Sequence, residues 1–462
     1  MDLMIQLNTE QGSAHLYEQI YDYIKQEIKG GKLPRGEKLP STRTLAQNLQ
    51  ISRTTVDLAY GQLVSEGYLE SRPGSGYYVG NVRELYGFDE LKKPSHGSRP
   101  VKEKYEVDFS TAAVDMEQFP FSTWRKINRS LLSQDNSSLF SLGDPQGDFS
   151  LRETIAGYLH SSRGAHILPE QLIVGAGNEY LLLLLEKILG NRRHIALESP
   201  TYQKAFLCFE SCGFRISTIS MDRQGMRVGE LQQSGAQIAY VMPSHQYPTG
   251  IVMPIGRRQE LLAWANQEPD RYIIEDDHDS EFRYKGKPVP CLQSIDSEEK
   301  VIYIGTFSKA IAPAIRISFL ALPDPLLKIY QQQYRFFSST VPRMDQSTLR
   351  QFMVEGHFER HLNRMRKCYR AKHDFLMQQL KPFRRQFVVG GENAGTFLTL
   401  TARDGRTQEE LVKAAAERKI RVYPMDAREK DSHTVLIRYG GLSLEEIEKG
   451  IAALKEAFGI LK

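Results

Sequence analysis

A polar stretch from residue 81 to residue 106 divides the sequence into two segments with different hydrophobic patterns. Proline, glycine and serine residues interrupt any helical or strand periodicity in this stretch, a composition typical of a connector. At 462 residues the chain also exceeds what one hydrophobic core usually serves. The sequence therefore predicts a multidomain protein, with a small domain over residues 1–80, a flexible linker over 81–106 and a large domain over 107–462.

The first segment contains three helical patterns followed by a hairpin pattern. Apolar residues recur every four positions over residues 16–28, which places them on one face of a helix. Ser41 and Ser52 precede two further apolar patterns, at positions where a hydroxyl group caps free backbone amides. Two short β-type segments then flank the turn Arg72-Pro73-Gly74-Ser75-Gly76. This order predicts a small α+β domain in which three helices precede a two-stranded wing.

The string LPSTRTLAQNLQISRTTVDLAYGQLVSEGYLESRPGSGYYV, residues 39–79, resembles the winged helix-turn-helix of the GntR family of regulators. The resemblance implies a domain that binds double-stranded DNA with its third helix in the major groove. Asp57 stands where some members of the family have another basic residue. A winged helix used only for protein contacts is the alternative. By position, the residues expected to approach DNA are Arg43, Arg53, Thr54, Thr55 and Gly74.

The charge of the first segment limits how tightly one copy can bind DNA. The whole chain has 60 Lys and Arg residues against 56 Asp and Glu residues, a formal net charge of +4. Residues 1–80 contain eight basic and nine acidic side chains, a net charge of −1. Because sequence-independent affinity follows the number of phosphates neutralised, one copy is expected to bind weakly. Useful affinity then requires two linked modules on paired half-sites of an operator.

Cysteine content and hydropathy exclude two other classes of protein. The four cysteines lack CxxC spacing and are too few for a disulfide framework in so long a chain. Cys208 and Cys212 share a helical face, but without a nearby histidine no metal site is expected. The longest apolar stretch, Tyr180–Leu185, is far shorter than the roughly 20 residues that span a bilayer. The sequence predicts a cytoplasmic protein without a membrane partner.

Beyond residue 107, helical patterns alternate with short apolar strands. Such alternation predicts an α/β domain with a largely parallel sheet. Ligands of these sheets bind at the carboxyl ends of the strands. The helical patterns include Leu151–Leu159 and Tyr180–Leu189, and the strand patterns are Ile195–Leu197, Ile238–Val241, Tyr272–Ile274 and Val301–Ile304.

Polar residues follow three of these strands and open one helix. Lys309 lies just past the strand over 301–304, and Asp276 ends the strand over 272–274. A lysine there can form a Schiff base, and a carboxylate can keep a pyridine nitrogen protonated. Gly177 and Asn178 open a helix, where free amides bind phosphate, and Tyr202 follows the strand over 195–197. Each feature alone is usually structural, whereas their joint order indicates one site.

Together these features resemble the fold-type I aminotransferases that bind pyridoxal 5′-phosphate, over residues 107–462. The resemblance implies an α/β transferase fold with a smaller C-terminal α/β subdomain and pyridoxal 5′-phosphate as cofactor. Lys309 would be the catalytic residue and carry the internal aldimine, Asp276 would pair with the pyridine nitrogen, and Tyr202 would stack on the ring. Arg438 matches the arginine that holds an amino-acid carboxylate. The phosphate would be held by Gly177, Asn178, Thr306, Ser308 and Arg316.

The two domains in this order resemble the MocR subfamily of GntR regulators, which includes a GABA-responsive, GabR-like branch. The motifs PSHQYPTG, residues 243–250, and EDDHDSEFRY, residues 275–284, are similar to those of the subfamily. Tyr247 stands where working aminotransferases have an Asn that bonds the ring hydroxyl of the cofactor. His278, expected to contact the cofactor, replaces a common Tyr, and Lys204 replaces the Arg that holds the effector in the GABA-responsive branch. The resemblance also implies a homodimer.

Three functions are compatible with the sequence. The favoured one is a transcriptional regulator that senses an amino acid, an amine or pyridoxal 5′-phosphate itself through an aldimine at Lys309, without physiological turnover. The second is a catalytically active aminotransferase with an accessory DNA-binding domain, against which Tyr247 argues. The third is a vestigial domain that only dimerises, against which the joint retention of Lys309, Asp276 and Arg316 argues.

Overall fold

The chain divides into two compact units, Met1–Lys102 and Glu103–Lys462. The computed structural model describes residues 3, 5–8, 14–81, 104–110, 114–133, 137–284, 289–392, 395–426, 428–429 and 431–460. Most of the predicted linker, residues 82–103, lies outside the described residues. Within the described part, no helix is long and apolar enough to cross a membrane.

The first unit has three helices and a hairpin, as the sequence predicts. The side chains of Ser41 and Ser52 cap two of the helices by accepting hydrogen bonds from the amides of Thr44 and Thr55, at 3.1 and 3.2 Å. Buried apolar residues of all three helices form one core with the hairpin. This is a winged helix. Its elements are α1 (Leu16–Lys29), α2 (Thr42–Leu49), α3 (Arg53–Ser65), β1 (Leu69–Arg72) and β2 (Gly76–Val79).

The second unit alternates helices and strands, which confirms the predicted α/β class. Its helices are α4 (Phe121–Ser133), α5 (Phe149–Arg163), α6 (Asn178–Leu189), α7 (Gln203–Ser211), α8 (Val228–Ser234), α9 (Ile255–Asn266), α10 (Asp324–Ile329), α11 (Arg343–Val354), α12 (His357–Gln379), α13 (Gln408–Glu417) and α14 (Leu444–Ala457). Its strands are β3 (Val107–Asp108), β4 (Leu172–Gly175), β5 (His194–Ser199), β6 (Arg215–Asp222), β7 (Gly225–Met226), β8 (Ile238–Val241), β9 (Tyr272–Asp276), β10 (Val301–Thr306), β11 (Ser318–Ala321), β12 (Phe387–Gly390), β13 (Phe397–Ala402), β14 (Ile420–Arg421), β15 (Tyr423–Pro424) and β16 (Thr434–Arg438).

An eight-stranded sheet forms the centre of the second unit, in the order β4-β11-β10-β9-β8-β5-β6-β7. The strands from β10 to β6 pair in parallel, and the strands at both edges pair antiparallel. Alternate residues of β10 enter different cores: Ile302 and Ile304 pack with the leucines of α6, whereas Tyr303 packs with α5 and α12. Helices therefore cover both faces, as parallel sheets require.

A smaller sheet, in the order β12-β13-β16-β15, forms the predicted C-terminal subdomain. Residues of α13, α14 and the end of α12 pack with it in one core. The short strand β3 pairs in parallel with β14, so the start of the second unit contributes to this subdomain. Arg438 ends β16, which brings a guanidinium group to the boundary between the two sheets.

A buried ion pair joins the carboxyl end of β9 to α5. The Nη2 atom of Arg163 lies 2.7 Å from Oδ1 of Asp277, and both side chains are almost fully buried. Arg163 also donates to the carbonyl oxygen of Val289, and Tyr303 donates its hydroxyl hydrogen to Asp277. The Asp277 carboxylate therefore holds Arg163 and Tyr303 next to the polar end of the sheet.

We predict that Asp277→Asn destabilises the second unit by about 3–5 kcal/mol, because it leaves the Arg163 charge buried without a counterion. Equilibrium urea unfolding followed by fluorescence measures the change. Glu392→Gln is the matched control, since Glu392 pairs with Arg384 at the surface and its loss should cost less than about 1 kcal/mol. Equal losses in the two variants would contradict the prediction.

Candidate functional site

A cavity of about 420 Å³ opens at the carboxyl ends of the central strands. Loops after β5, β9 and β10 supply one wall, and residues of β15, the loop after it and β16 supply another. This is the location that parallel α/β sheets favour for ligands. Predicted site residues in its lining are Tyr202, Lys204, His278, Ser308, Lys309, Arg316 and Arg438.

Lys309 lies three residues past β10, in this cavity. Its Nζ atom contacts Nε2 of His278 and lies 3.5 Å from Oδ1 of Asp279. Burial lowers the pKa of Lys309 to about 8, with the Asp279 carboxylate opposing the shift and Arg438 adding to it. A larger fraction of this amine is therefore neutral near pH 7 than in an ordinary lysine, which suits a nucleophile.

Asp276 ends β9 directly beside β10, because the parallel pairing sets Asp276 opposite Ile304. Its Oδ2 atom accepts a hydrogen bond from the hydroxyl of Tyr240. Burial raises the pKa of Asp276 to about 6, although Tyr240 and Lys309 favour the ionised form. A buried carboxylate in this state gains most from a cationic partner such as a protonated ring nitrogen.

Two tyrosines line the cavity beside Lys309. Tyr202 immediately precedes α7, and its ring meets the ring of Tyr247 edge to face, with centroids 5.9 Å apart. Tyr247 also faces His278, at a centroid distance of 5.3 Å. Tyr202, the predicted stacking residue, is therefore part of an aromatic wall that includes Tyr247 and His278, two of the three departures from the family pattern.

The predicted phosphate-binding residues divide into two groups. Ser308 has a buried hydroxyl oxygen without a hydrogen-bond partner among the described residues. The amide oxygen of Asn178 is likewise buried without a partner among them. Gly177 has φ +99°, and a Cβ atom there would collide with the guanidinium group of Arg316. Thr306 instead accepts a hydrogen bond from the Ser318 hydroxyl at 2.8 Å. An anion bound between Ser308 and Arg316, a place called the cradle below, would accept hydrogen bonds from the Ser308 hydroxyl and the Arg316 guanidinium group.

Glu179, which the sequence analysis did not single out, occupies this cradle. Its carboxylate lies 2.6 Å from Nη2 of Arg316 and 3.7 Å from Nζ of Lys204. Burial acts in the opposite direction, but the hydrogen bond from Arg316 holds the pKa of Glu179 below its usual range. Lys204 is 65% exposed at the mouth of the cavity. A bound phosphate would therefore compete with Glu179 for Arg316.

Asp279 is the second residue that sequence reasoning missed. Its Oδ2 atom lies 3.8 Å from Nδ1 of His278 and 4.0 Å from Nη2 of Arg438. Burial alone would raise its pKa, but His278, Lys309 and Arg438 together hold the pKa of Asp279 well below its usual range. Only the motif EDDHDSEFRY marked this position, and its partner Arg438 is 159 residues away.

His245 completes this buried cluster. Its ring lies nearly parallel to that of His278, with centroids 6.3 Å apart, and burial lowers the pKa of His245 to about 4. Ligand-type atoms of His245, His278 and Asp279 lie within 4.8 Å of one another, a geometry compatible with a metal ion. However, Lys309 and Arg438 both lie near the Asp279 carboxylate and already balance its charge. The described side chains around Asp279 therefore neutralise its charge without requiring a metal ion.

The first unit places the predicted DNA-binding residues on its helices and hairpin. Arg53, Thr54 and Thr55 form the first turn of α3, and Arg43 lies in α2. Gly74 lies in the hairpin turn with φ +72°, a conformation that favours glycine. These positions match the presentation expected of a winged helix, and their contacts with DNA stay predictions.

Comparison with known proteins follows the same division of the chain. Residues 16–79 match the family described as bacterial regulatory proteins, gntR family, and residues 107–454 match aminotransferase class I and II. The crystal structure of an archaeal alanine:glyoxylate aminotransferase is similar, with a TM-score of 0.69 and 25% identity, over 76% of this chain and 90% of that chain. The two matches define a DNA-binding regulator that carries an aminotransferase-type domain.

Two relatives show the same combination over nearly their full length. The HTH-type transcriptional regulator YdeL of Bacillus subtilis is 38% identical over 96% of this chain and 97% of its own length. The "Probable rhizopine catabolism regulatory protein MocR" of Rhizobium meliloti is 30% identical, over 96% of this chain and 94% of its own length. The chain belongs to this MocR-type family of transcriptional regulators.

We predict that Asp279→Asn lowers the pKa of Lys309 below about 8, because it removes the carboxylate that stabilises the ammonium form. In protein freed of cofactor, the amine should then react faster at pH 7, by about threefold or more. Competitive acylation of Lys309 across pH, quantified by mass spectrometry, measures this. Asp279→Glu keeps the charge and serves as control. An unchanged profile in Asp279→Asn would show that Asp279 does not act on Lys309.

Proposed function

We propose that this chain is a pyridoxal 5′-phosphate-dependent transcriptional regulator, in which an amino acid, an amine or the cofactor itself changes DNA binding by acting at Lys309. One observation carries the proposal: Lys309, Ser308 and Arg316 line one cavity, and Asp276 ends the strand next to the one that leads to Lys309, in a chain whose other unit is a winged helix. An enzyme would not need the winged helix, and a simple DNA-binding protein would not need the cavity, whereas a regulator needs both a sensor and a DNA-binding unit.

The residues present fit pyridoxal 5′-phosphate. The unpartnered hydroxyl of Ser308 and the guanidinium group of Arg316 suit a phosphate, and Gly177 leaves room for them. Asp276 suits the ring nitrogen, and Tyr202 suits the face of the ring. When bound through Lys309, the cofactor supplies an electrophilic carbon at which a primary amine can replace the lysine. Because burial lowers its pKa to about 8, the free amine of Lys309 would stay neutral more readily than that of an ordinary lysine and could accept a proton from the ligand.

The arrangement around Arg438 bears on the class of effector. Arg438 is buried and lies 4.0 Å from the Asp279 carboxylate, with its Nε atom unpartnered among the described residues. A carboxylate of an amino acid would satisfy this guanidinium group, but it would also meet the charge of Asp279. We propose that a ligand carboxylate binds Arg438 and that Lys204, at the mouth of the cavity, contacts the distal part of the ligand.

The output of the sensor is a change in the geometry of two DNA-binding units. We propose a homodimer whose two winged helices bind paired half-sites of double-stranded DNA. A ligand shifts such an equilibrium only by its differential affinity for the two conformations, typically about 1–3 kcal/mol. The expected change in operator affinity is therefore about 5-fold to 150-fold.

Visible absorption of the purified protein with pyridoxal 5′-phosphate tests the proposal. A band that requires Lys309, shifts with one amine and then stays constant supports a sensor. A band that converts to the aminated cofactor and recovers with a keto acid would instead show an aminotransferase. Absence of any band would overturn both functions.

We predict that Lys309→Ala loses this band and the effect of the ligand on DNA affinity, because the ligand then has no covalent link to exchange. Fluorescence anisotropy with a duplex selected by the full-length protein measures affinity with and without ligand. Lys300→Ala, at a half-buried lysine outside the cavity, should keep both the band and the response. A Lys309→Ala variant that still responds to the amine would contradict sensing through Lys309.

A further inference from the structure

The outward face of α3 carries four different side chains. Val56, Ala59, Tyr60 and Leu63 point into the core, so the opposite face of the helix is directed away from the first unit. Its members in the first two turns are exposed: Arg53, Thr54, Asp57 and Leu58. Because the amino-terminal turns of a recognition helix approach base edges, this face decides which bases are read.

Asp57 lies one turn after Arg53 and engages it. The Oδ2 atom of Asp57 is 3.4 Å from Nε of Arg53, and the side chains are 43% and 67% exposed. So exposed a pair contributes little to folding stability. Its effect is geometric, because the carboxylate lies on the Nε side of the guanidinium group, and the two Nη groups of Arg53 have no partner among the described residues. Two parallel N–H donors of this kind match the O6 and N7 atoms of guanine.

Leu58 is 62% exposed and does not take part in the core of the first unit. Thr54, one turn earlier, shares a hydrogen bond between its hydroxyl and that of Ser52, at 2.7 Å. With its hydroxyl engaged by Ser52, Thr54 also has a methyl group available for contact with DNA. Leu58 and Thr54 together present apolar surface beside Arg53, and the apolar feature of the major groove is the C5-methyl group of thymine.

Charge makes base contacts more important in this unit than in a basic one. Residues 1–80 have a net charge of −1, so phosphate attraction is weak. Four basic side chains are further occupied by ion pairs within the unit, namely Lys25 with Glu66, Lys32 with Glu27, Arg53 with Asp57 and Arg72 with Glu70. An acidic residue on the outward face of α3 would only weaken DNA binding unless it improved the recognition of bases.

We propose that α3 reads a guanine through Arg53, which Asp57 orients, and a neighbouring thymine through its methyl group, which Leu58 and Thr54 contact. Asp57 is thus a positioning residue, and Leu58 is a specificity-determining residue. The proposal rests on the proposed function, in that the winged helix must bind operator DNA with α3 in the major groove.

Selection from a random pool of DNA duplexes by the full-length protein, loaded with pyridoxal 5′-phosphate, identifies the bases that are preferred. The same selection is done with Asp57→Asn and Leu58→Ser. Glu70→Gln is the control, because it removes one negative charge from the same unit outside α3. All three positions are exposed, so the folded first unit is expected to tolerate each substitution.

Asp57→Asn should bind random duplex DNA more tightly than the parent, yet lose at least fivefold of the preference for guanine at one position. Glu70→Gln should bind random DNA more tightly with the guanine preference intact. If Asp57→Asn instead gains affinity for all sequences with an unchanged preference, Asp57 only repels phosphate, and its positioning role is overturned.

Replacing the selected thymine by uracil removes only the methyl group. The parent protein should lose about fourfold in affinity, and Leu58→Ser should be insensitive to the replacement. Equal affinity of the parent for both duplexes would overturn the role of Leu58. Failure to select any sequence would overturn DNA reading as a whole, and the absorption experiment at Lys309 would still decide separately whether the second unit is a sensor.

Discussion

Parallel pairing of β9 with β10 is the interaction on which the cofactor site depends. Its backbone hydrogen bonds set Asp276, the last residue of β9, opposite Ile304, so β10 ends only shortly beyond the carboxylate, at Thr306, before the loop to Lys309. Side chains alternate between the faces of a strand, so a shift of one residue would exchange the partners of consecutive acidic residues. Asp276 meets Tyr240 and Asp277 meets Arg163, two partners that are not interchangeable.

A second constraint is the buried charge of Asp279. The one carboxylate of Asp279 lies near both Lys309 and Arg438 and faces His278, so each of these cations already has an anionic neighbour before any ligand enters. A ligand carboxylate that binds Arg438 would therefore compete with the existing contact between Arg438 and Asp279. The same competition applies at the other end of the cavity, where Glu179 is paired with Arg316. A ligand that binds as proposed would thus replace internal ion pairs.

The first unit also compensates most of its charges internally. Its acidic and basic side chains nearly cancel, and several of them are paired with each other. Paired cations attract phosphate less strongly, which shifts the balance of DNA recognition from the backbone to the bases. Under the proposed function, weak binding by one copy would give a change in the geometry of two copies a large effect on occupancy.

Local patterns in the sequence were sufficient for the helices and hairpin of the first unit and for several helices and central strands of the second. Ser41 and Ser52 cap helices because a hydroxyl acts on amides two or three residues away, and apolar runs mark buried strands wherever they occur. Lys309, Asp276 and Tyr202 were found because each follows a strand end. The family resemblance added the assignment of Arg438, which no local pattern indicates.

The partners of Asp279 and Glu179 were beyond such patterns. Asp279 meets Arg438, and Glu179 meets Arg316, across separations of 159 and 137 residues. Nothing near either acid in the sequence marks it as a partner of a distant cation. Asp279 meets Arg438 because the large and small sheets pack together, and Glu179 meets Arg316 because β4 pairs with β11. The sequence therefore specified which chemical groups stand at the strand ends, and tertiary packing decided which of those groups neutralise one another.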